Sequence, residues 1–171
     1  MQELQALVNS RHVIFEIKEN FLYLGSGRMA SELEALKSYN ITHILNVADD
    51  VPNFHPDSFI YCNLSVGDFG TDAGISRVFG TAHEFITNAR DASPTNRIFV
   101  HCAAGVNRSV TVVIAMLMLL DKLTLKEAWA IVRSKRKSAC PLSDNIRELI
   151  KFEEKLYQTT TLTAETFYKP F

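Results

Sequence analysis

The stretch that decides the fold is Arg97-Ile98-Phe99-Val100-His101-Cys102-Ala103-Ala104-Gly105-Val106-Asn107-Arg108-Ser109, followed by an apolar run from Val110 to Leu120. The apolar residues ahead of Cys102 predict a strand, and the long apolar run predicts a buried helix. Between them lies a tight loop with a cysteine at one end and an arginine at the other. A loop that opens a helix presents unpaired backbone N–H groups and the positive end of the helix dipole. Such a place holds phosphate. The nucleophilic form of a cysteine is its thiolate, and a floor lined with N–H donors suits an anion. Arg108 can fork two hydrogen bonds onto phosphate oxygens. The amides of Ala103, Ala104, Gly105, Val106 and Asn107 complete the expected cradle, and Gly105 permits a turn that a side chain would hinder.

Upstream, Val13–Ile17 and Phe21–Leu24 read as two strands joined by a short turn, with Gly25-Ser26-Gly27 breaking the pattern. Ser31–Tyr39 is expected to be helical and to stop at Asn40. Thr42–Val47 and Phe59–Leu64 are further strands, separated by a loop with two prolines. Gly67–Gly74, with three glycines and two aspartates, is an exposed loop. Ile75–Arg90 carries apolar residues at helical spacing. Downstream, Thr124 and Glu127 form a capping box for a helix holding Trp129, the one tryptophan, and ending in the basic run Arg133–Lys137. That run reads as a solvated helix end. Ser143 is the expected cap of a last helix running to about Tyr157. Met1–Ser10 has the pattern of a short amphipathic helix.

Strands alternating with helices imply an α/β fold with a central, mostly parallel sheet flanked by helices. The Cys102 loop falls after a strand and before a helix, where open α/β sheets place ligands. The expected organisation is an N-terminal extension with the first strand at 1–20, a catalytic domain at 21–157 and a tail at 158–171. The tail has no clear period and is read either as mobile or as a packed appendage.

A phosphate monoester on this loop would put phosphorus above the Cys102 sulfur. Attack would give a phosphocysteine that water later hydrolyses. Arg108 and the loop amides would stabilise the developing charge. The Ser109 hydroxyl could bond the sulfur and ease its departure. His101 is expected to orient the loop rather than to act as a base. The leaving oxygen needs a proton from a loop that reaches across the pocket. Asp68 and Asp72 are the candidates; Asp68, nearer the strand end, is preferred, and Asp72 is the alternative.

The chain has 171 residues, 47% of them hydrophobic and 22% charged, with a formal net charge of −1. This is the balance of one ordinary globular domain. It offers no broad attraction for nucleic acid or anionic membrane. The cysteines Cys62, Cys102 and Cys140 fit neither a zinc pattern nor a disulfide framework, which points to a reducing compartment, cytoplasmic or nuclear. No metal or other cofactor is expected. The N-terminus lacks an apolar signal core, and the longest apolar run is shorter than the roughly 20 residues a bilayer requires.

The segment from Cys102 to Ser109 resembles the Cys-x5-Arg-Ser/Thr signature of cysteine-dependent protein phosphatases. The preceding His101 and the Ala-Ala-Gly interior resemble the dual-specificity branch. Phe21–Gly25, Ile41–Ala48 and Tyr61–Asp68 resemble that family's early strands and its strand into the acid loop. The resemblance covers roughly Phe21 to Leu156 and implies a small, atypical dual-specificity phosphatase. It implies Cys102 as nucleophile, Arg108 as clamp and Asp68 as acid. Three departures stand out. Asn107 replaces a frequent serine. Leu142 follows Pro141 where an asparagine that supports the site is frequent. The N-terminal part is too short for a kinase-docking domain.

The expected substrates are phosphorylated proteins, carrying phosphotyrosine and phosphoserine/threonine, with the enzyme a monomer or weak dimer. Two other readings remain at this level. One is a phosphatase of RNA 5′-phosphates or phosphoinositides; the lysine-free loop interior argues against a multiply charged lipid head group. The other is a phosphate-binding module without turnover, against which the retained Cys102 and Arg108 argue.

Overall fold

The computed structural model describes residue 2 and residues 11–170. The helix expected over Met1–Ser10 therefore lies outside the described residues, Gln2 apart. In chain order the strands are β1 (Phe15–Lys18), β2 (Leu22–Ser26), β3 (His43–Ala48), β4 (Ile60–Val66) and β5 (Ile98–Cys102). The helices are α1 (Gly27–Ala30), α2 (Leu33–Ser38), α3 (Phe79–Ala92), α4 (Arg108–Asp121), α5 (Leu125–Lys135) and α6 (Ser143–Tyr157), with a 3-10 turn at Ile75–Val78 ahead of α3.

The five strands form one sheet in the order β1-β2-β5-β3-β4. β5 runs parallel to β2 on one side and to β3 on the other, β4 runs parallel to β3, and β1 closes the edge antiparallel to β2. Every residue of β2, β3 and β5 is buried. That burial suits their near-continuous apolar sequence and marks them as the sheet's interior strands. Alternate side chains then feed two cores. Ile98, Val100 and Cys102 of β5 join the larger cluster with α3, α4, α5 and α6. Phe99 points the other way, to Tyr23, Met29, Leu36 and Ile44. Helices thus cover both faces, and β5 delivers Cys102 at the C-terminal end of the sheet's centre. From Arg108 to Met118, α4 is buried all round, as expected for a helix enclosed by sheet and neighbouring helices.

Several local expectations are corrected. Gly25 and Ser26 do not break β2; they pair with His101 and Cys102 of β5, and the Ser26 hydroxyl then caps α1. The helix expected over Ser31–Tyr39 is the shorter α2, with Asn40 in the left-handed region just after it, and α1 is a further turn of helix ahead of it. Leu142, not Ser143, is the N-cap of α6, and it provides no side-chain cap. The Thr124–Glu127 capping box is present.

The tail packs. Leu162 and Phe167 are buried, and the Trp129 ring stacks on Phe167 at 4.7 Å. Trp129 Nε1 donates to the Phe167 carbonyl at 2.8 Å, giving the indole the partner a buried N–H requires. The tail's start is held by Glu153, a fully buried carboxylate on α6. Glu153 accepts from the Leu125 N–H, the Thr161 N–H and the Thr161 hydroxyl, each at 2.7 Å. One carboxylate thereby satisfies the first turn of α5 and fastens the tail to α6.

Glu153→Ala would leave the Leu125 and Thr161 amides without their acceptor. Thermal or denaturant unfolding is expected to show a loss of about 3 kcal/mol, with Glu153→Gln losing about 1 kcal/mol because one acceptor oxygen remains.

Candidate active site

The geometry of the Cys102–Arg108 loop follows from where its carbonyls go. His101 Nδ1 lies 3.2 Å from the Cys102 carbonyl, and the Gly27 N–H donates to the Ala103 carbonyl at 2.9 Å. Arg136 Nη2 donates to the Ala104 carbonyl at 3.2 Å, and the Cys140 N–H to the Val106 carbonyl at 2.7 Å. The Thr111 N–H and hydroxyl both donate to the Asn107 carbonyl at 2.9 Å. A planar trans peptide points its N–H opposite its C=O. Tying these carbonyls back to the body of the protein therefore turns the loop's N–H groups toward the cradle. Gly105 has φ +68°, and a Cβ there would stand 2.4 Å from the Gly25 carbonyl oxygen, so only glycine fits.

Cys102 is buried at the floor of this loop. Its sulfur receives the Gly105 N–H at 3.3 Å and lies 3.2 Å from the Ser109 hydroxyl. These donors are placed to hold a sulfur anion.

Arg108 is buried as well, and the sequence reading did not anticipate what compensates it. Its Nη1 donates to Asp50 Oδ1 at 2.9 Å, to the Val66 carbonyl at 2.9 Å and to Asp49 Oδ1 at 3.3 Å. Burial works against its charge, yet the Asp50 hydrogen bond, Cys102 and Asp68 together hold the guanidinium above its ordinary value. All the bonds fall on Nη1. Nε lies 3.3 Å from Asp68 Oδ2 but makes no hydrogen bond among the described residues. The Nε/Nη2 edge, which forks onto an oxyanion, faces the Asp68 carboxylate across that ion pair and makes no hydrogen bond from Nε among the described residues. The signal for Asp49 and Asp50 was their position directly after β3, the strand that adjoins β5.

The two candidate acids separate cleanly. Asp68 faces the loop: its Oδ1 accepts from Asn107 Nδ2 at 2.8 Å and from the Phe69 N–H at 2.9 Å, while Oδ2 faces Arg108. Asp72 is turned away. It is ion-paired with Arg77 at 2.6 Å and accepts from the Gly67 and Gly74 amides. The Arg77 hydrogen bond above all holds its carboxyl below the usual range.

Asn107 does more than stand in for a serine. Its Oδ1 accepts from the Leu142 N–H at 2.8 Å and from Asn145 Nδ2 at 2.9 Å, which fixes Nδ2 toward Asp68. The support put in question by Leu142 is supplied by that residue's backbone and by Asn145. The basic run also needs correction: Arg136 is fully buried, its guanidinium 4.5 Å from the Phe15 ring. Burial lowers it to about 10, so it stays charged at neutral pH.

His101 is enclosed beside Phe99, the rings 5.7 Å apart, and Nε2 has no hydrogen-bond partner among the described residues. Desolvation lowers it to about 4, and the nearby Arg108 adds to this. A neutral ring fits the orienting part expected of it.

A single Cys–Arg loop at the end of the central strand, seated on the N-terminus of a buried helix, defines the class of cysteine-dependent phosphatases. Residues 22–155 match the family model of the dual specificity phosphatase catalytic domain, and the chain belongs to that family. It is 41% identical over 138 residues to dual specificity protein phosphatase 1 of Arabidopsis thaliana, covering 81% of this chain and 68% of that protein. It is 39% identical over 144 residues to dual specificity protein phosphatase Mpk3 of Drosophila melanogaster, covering 82% of this chain but 34% of that protein. Human DUSP28 superposes with a TM-score of 0.77 at 26% identity, over 85% of this chain and 95% of that one. The protein is a dual-specificity protein-tyrosine phosphatase by family and fold. No helix among the described residues is long and apolar enough to cross a membrane.

His101 is neutral when folded and takes up a proton near its ordinary value of 6.5 when unfolded. The unfolded state binds more protons below that value, so stability falls as pH drops from about 6.5 toward 4. The contribution reaches about 3 kcal/mol at the lower end. Unfolding measured across this window is expected to show the slope, and His101→Asn to flatten it.

Proposed function

We propose that the protein hydrolyses phosphotyrosine and phosphoserine/threonine in protein substrates through a phosphocysteine intermediate. The observation that carries this reading is the buried Cys102 sulfur, held by the Gly105 N–H and beside the Ser109 hydroxyl, at the N-terminus of the helix that Arg108 opens. The phosphoryl group sits on the loop amides from Ala103 to Arg108, its oxygens held by those amides and by Arg108 Nε and Nη2. Cys102 Sγ attacks phosphorus; the S–P bond forms as the bond to the leaving oxygen breaks. Asp68 hands its proton to that oxygen. The hydrogen bonds from Asn107 and Phe69 to Oδ1 hold the Asp68 carboxyl against the loop. In the second step water attacks phosphorus and gives its proton to Asp68. The S–P bond breaks, and the Ser109 hydroxyl donates to the departing sulfur.

The charge around the pocket favours singly phosphorylated side chains. Asp49 and Asp50 stand half-exposed beside Arg108, and Asp68 flanks it on the other side. These carboxylates repel a head group or a 5′-triphosphate carrying several phosphates, and no lysine lies in the loop to offset them. The cleft of about 260 Å³ beside the loop, bordered by Phe69, Asn107, Leu142 and Asn145, is an open surface for the polypeptide around the phosphorylated residue.

Turnover compared across phosphotyrosine and phosphothreonine peptides, a phosphoinositide and an RNA 5′-triphosphate tests the substrate class; the peptides are expected to lead, and a lead by either other ligand would replace this reading. Cys102→Ser should reduce hydrolysis of an aryl phosphate to background. Asp68→Asn should lower kcat by about 10²–10³ on a poor leaving group and remove the alkaline fall of the pH–rate profile. Asn107→Ala should show the same pattern at smaller amplitude, and Asp72→Asn should show neither.

A further inference from the structure

The family match ends at residue 155, yet the chain beyond it reaches the segment that backs the phosphate loop. Three contacts to that loop come from one short segment after α5. Arg136 holds the Ala104 carbonyl, the Cys140 N–H holds the Val106 carbonyl, and the Leu142 N–H holds Asn107, which in turn holds Asp68. This segment is irregular: α5 ends at Lys135 and α6 begins at Ser143. The tail crosses it. The Tyr168 hydroxyl donates to the Pro141 carbonyl and lies 3.8 Å from Cys140 Sγ. The Tyr168 ring is packed edge-on against Trp129 and Phe167, and Arg133 Nη1 bonds its carbonyl at 3.3 Å. Burial pushes the Tyr168 hydroxyl above its ordinary value, so it remains a donor throughout the neutral range.

We propose that Tyr168 is a positioning residue for the reaction, bracing residues 140–142 so that the phosphate loop and Asp68 keep their geometry. The inference rests on the proposed reaction at Cys102. The hydroxyl fixes the Pro141 carbonyl. The Pro141 carbonyl shares its peptide group with the Leu142 N–H, and the Cys140 N–H lies one peptide ahead of the Cys140–Pro141 bond. Releasing the brace loosens the bond to Val106 and the bond to Asn107 together. The loss should therefore appear where proton donation by Asp68 matters most, although Tyr168 touches neither substrate nor the Cys102 sulfur.

The test compares the full chain with its Tyr168→Phe variant, which removes only the hydroxyl and keeps the aromatic packing. With phenyl phosphate, a poor leaving group, kcat should fall about fivefold, the effect of one hydrogen bond. With p-nitrophenyl phosphate the fall should be smaller, and KM and Tm should stay close to those of the parent. Hydrogen exchange over residues 102–109 should accelerate. An unchanged kcat on phenyl phosphate overturns the proposal, as does an equal loss on both esters accompanied by a lowered Tm, which would mark a merely structural residue. If the parent hydrolyses neither ester, the reading of the site fails by itself. The brace is then judged on exchange alone: acceleration over 102–109 supports it and unchanged exchange overturns it.

Discussion

The structure depends on a ring of carbonyls held outward. A loop with no regular hydrogen bonding of its own would otherwise sample many orientations of its peptide groups, and each would cost order to restore when a phosphate arrives. Here separate parts of the chain each fix one carbonyl: Gly27 after β2, Thr111 in α4, Arg136 after α5, and Cys140 before α6. The donors of the cradle are set before any ligand binds. Preorganised dipoles of this kind act without reorganisation at the moment charge develops. The sheet order serves the same end, because only a central strand can present its last residue to neighbours on both sides.

Charge compensation is the second constraint. A guanidinium as buried as Arg108 needs partners, and the fold gives it carboxylates from two strand ends, after β3 and after β4. Asp49 and Asp50 bond Nη1, while Asp68 pairs with Nε at 3.3 Å without a hydrogen bond. The arrangement keeps the cation charged and in place, with Asp68 on the edge that a phosphate would meet. Asp72, only a few residues from Asp68, is drawn into a different ion pair by Arg77. The separation of two similar aspartates thus follows from which cation each one meets.

The nucleophile loop, the strand before it and the helix after it were legible in the sequence because they are local: apolar patterning and one tight turn specify them. That Asp68, and not Asp72, faces the loop was legible from its place near the end of β4. Asp49 and Asp50 were not singled out, since their part depends on β3 lying beside β5, which is a matter of strand order. Arg136 looked like one more charge in a basic helix end; its burial is decided by β1 packing across α5 and placing Phe15 over it. The double engagement of Asn107 needs Leu142 and Asn145 brought up by the start of α6. The tail lacked periodicity because it is held by discrete polar contacts, to Glu153, Trp129 and Pro141, and not by a repeating apolar face.

The close approach of Gly105 to the Gly25 carbonyl has a consequence for how such a chain can diverge. The two residues are remote in sequence, one in the loop and one in β2, yet the space between them admits no additional carbon. A side chain at 105 can be accepted only if β2 retreats, and β2 cannot retreat without disturbing its pairing with β5. The restriction on position 105 therefore comes from the path of the β2 backbone: the loop's shape is held partly by a strand that carries none of its chemistry.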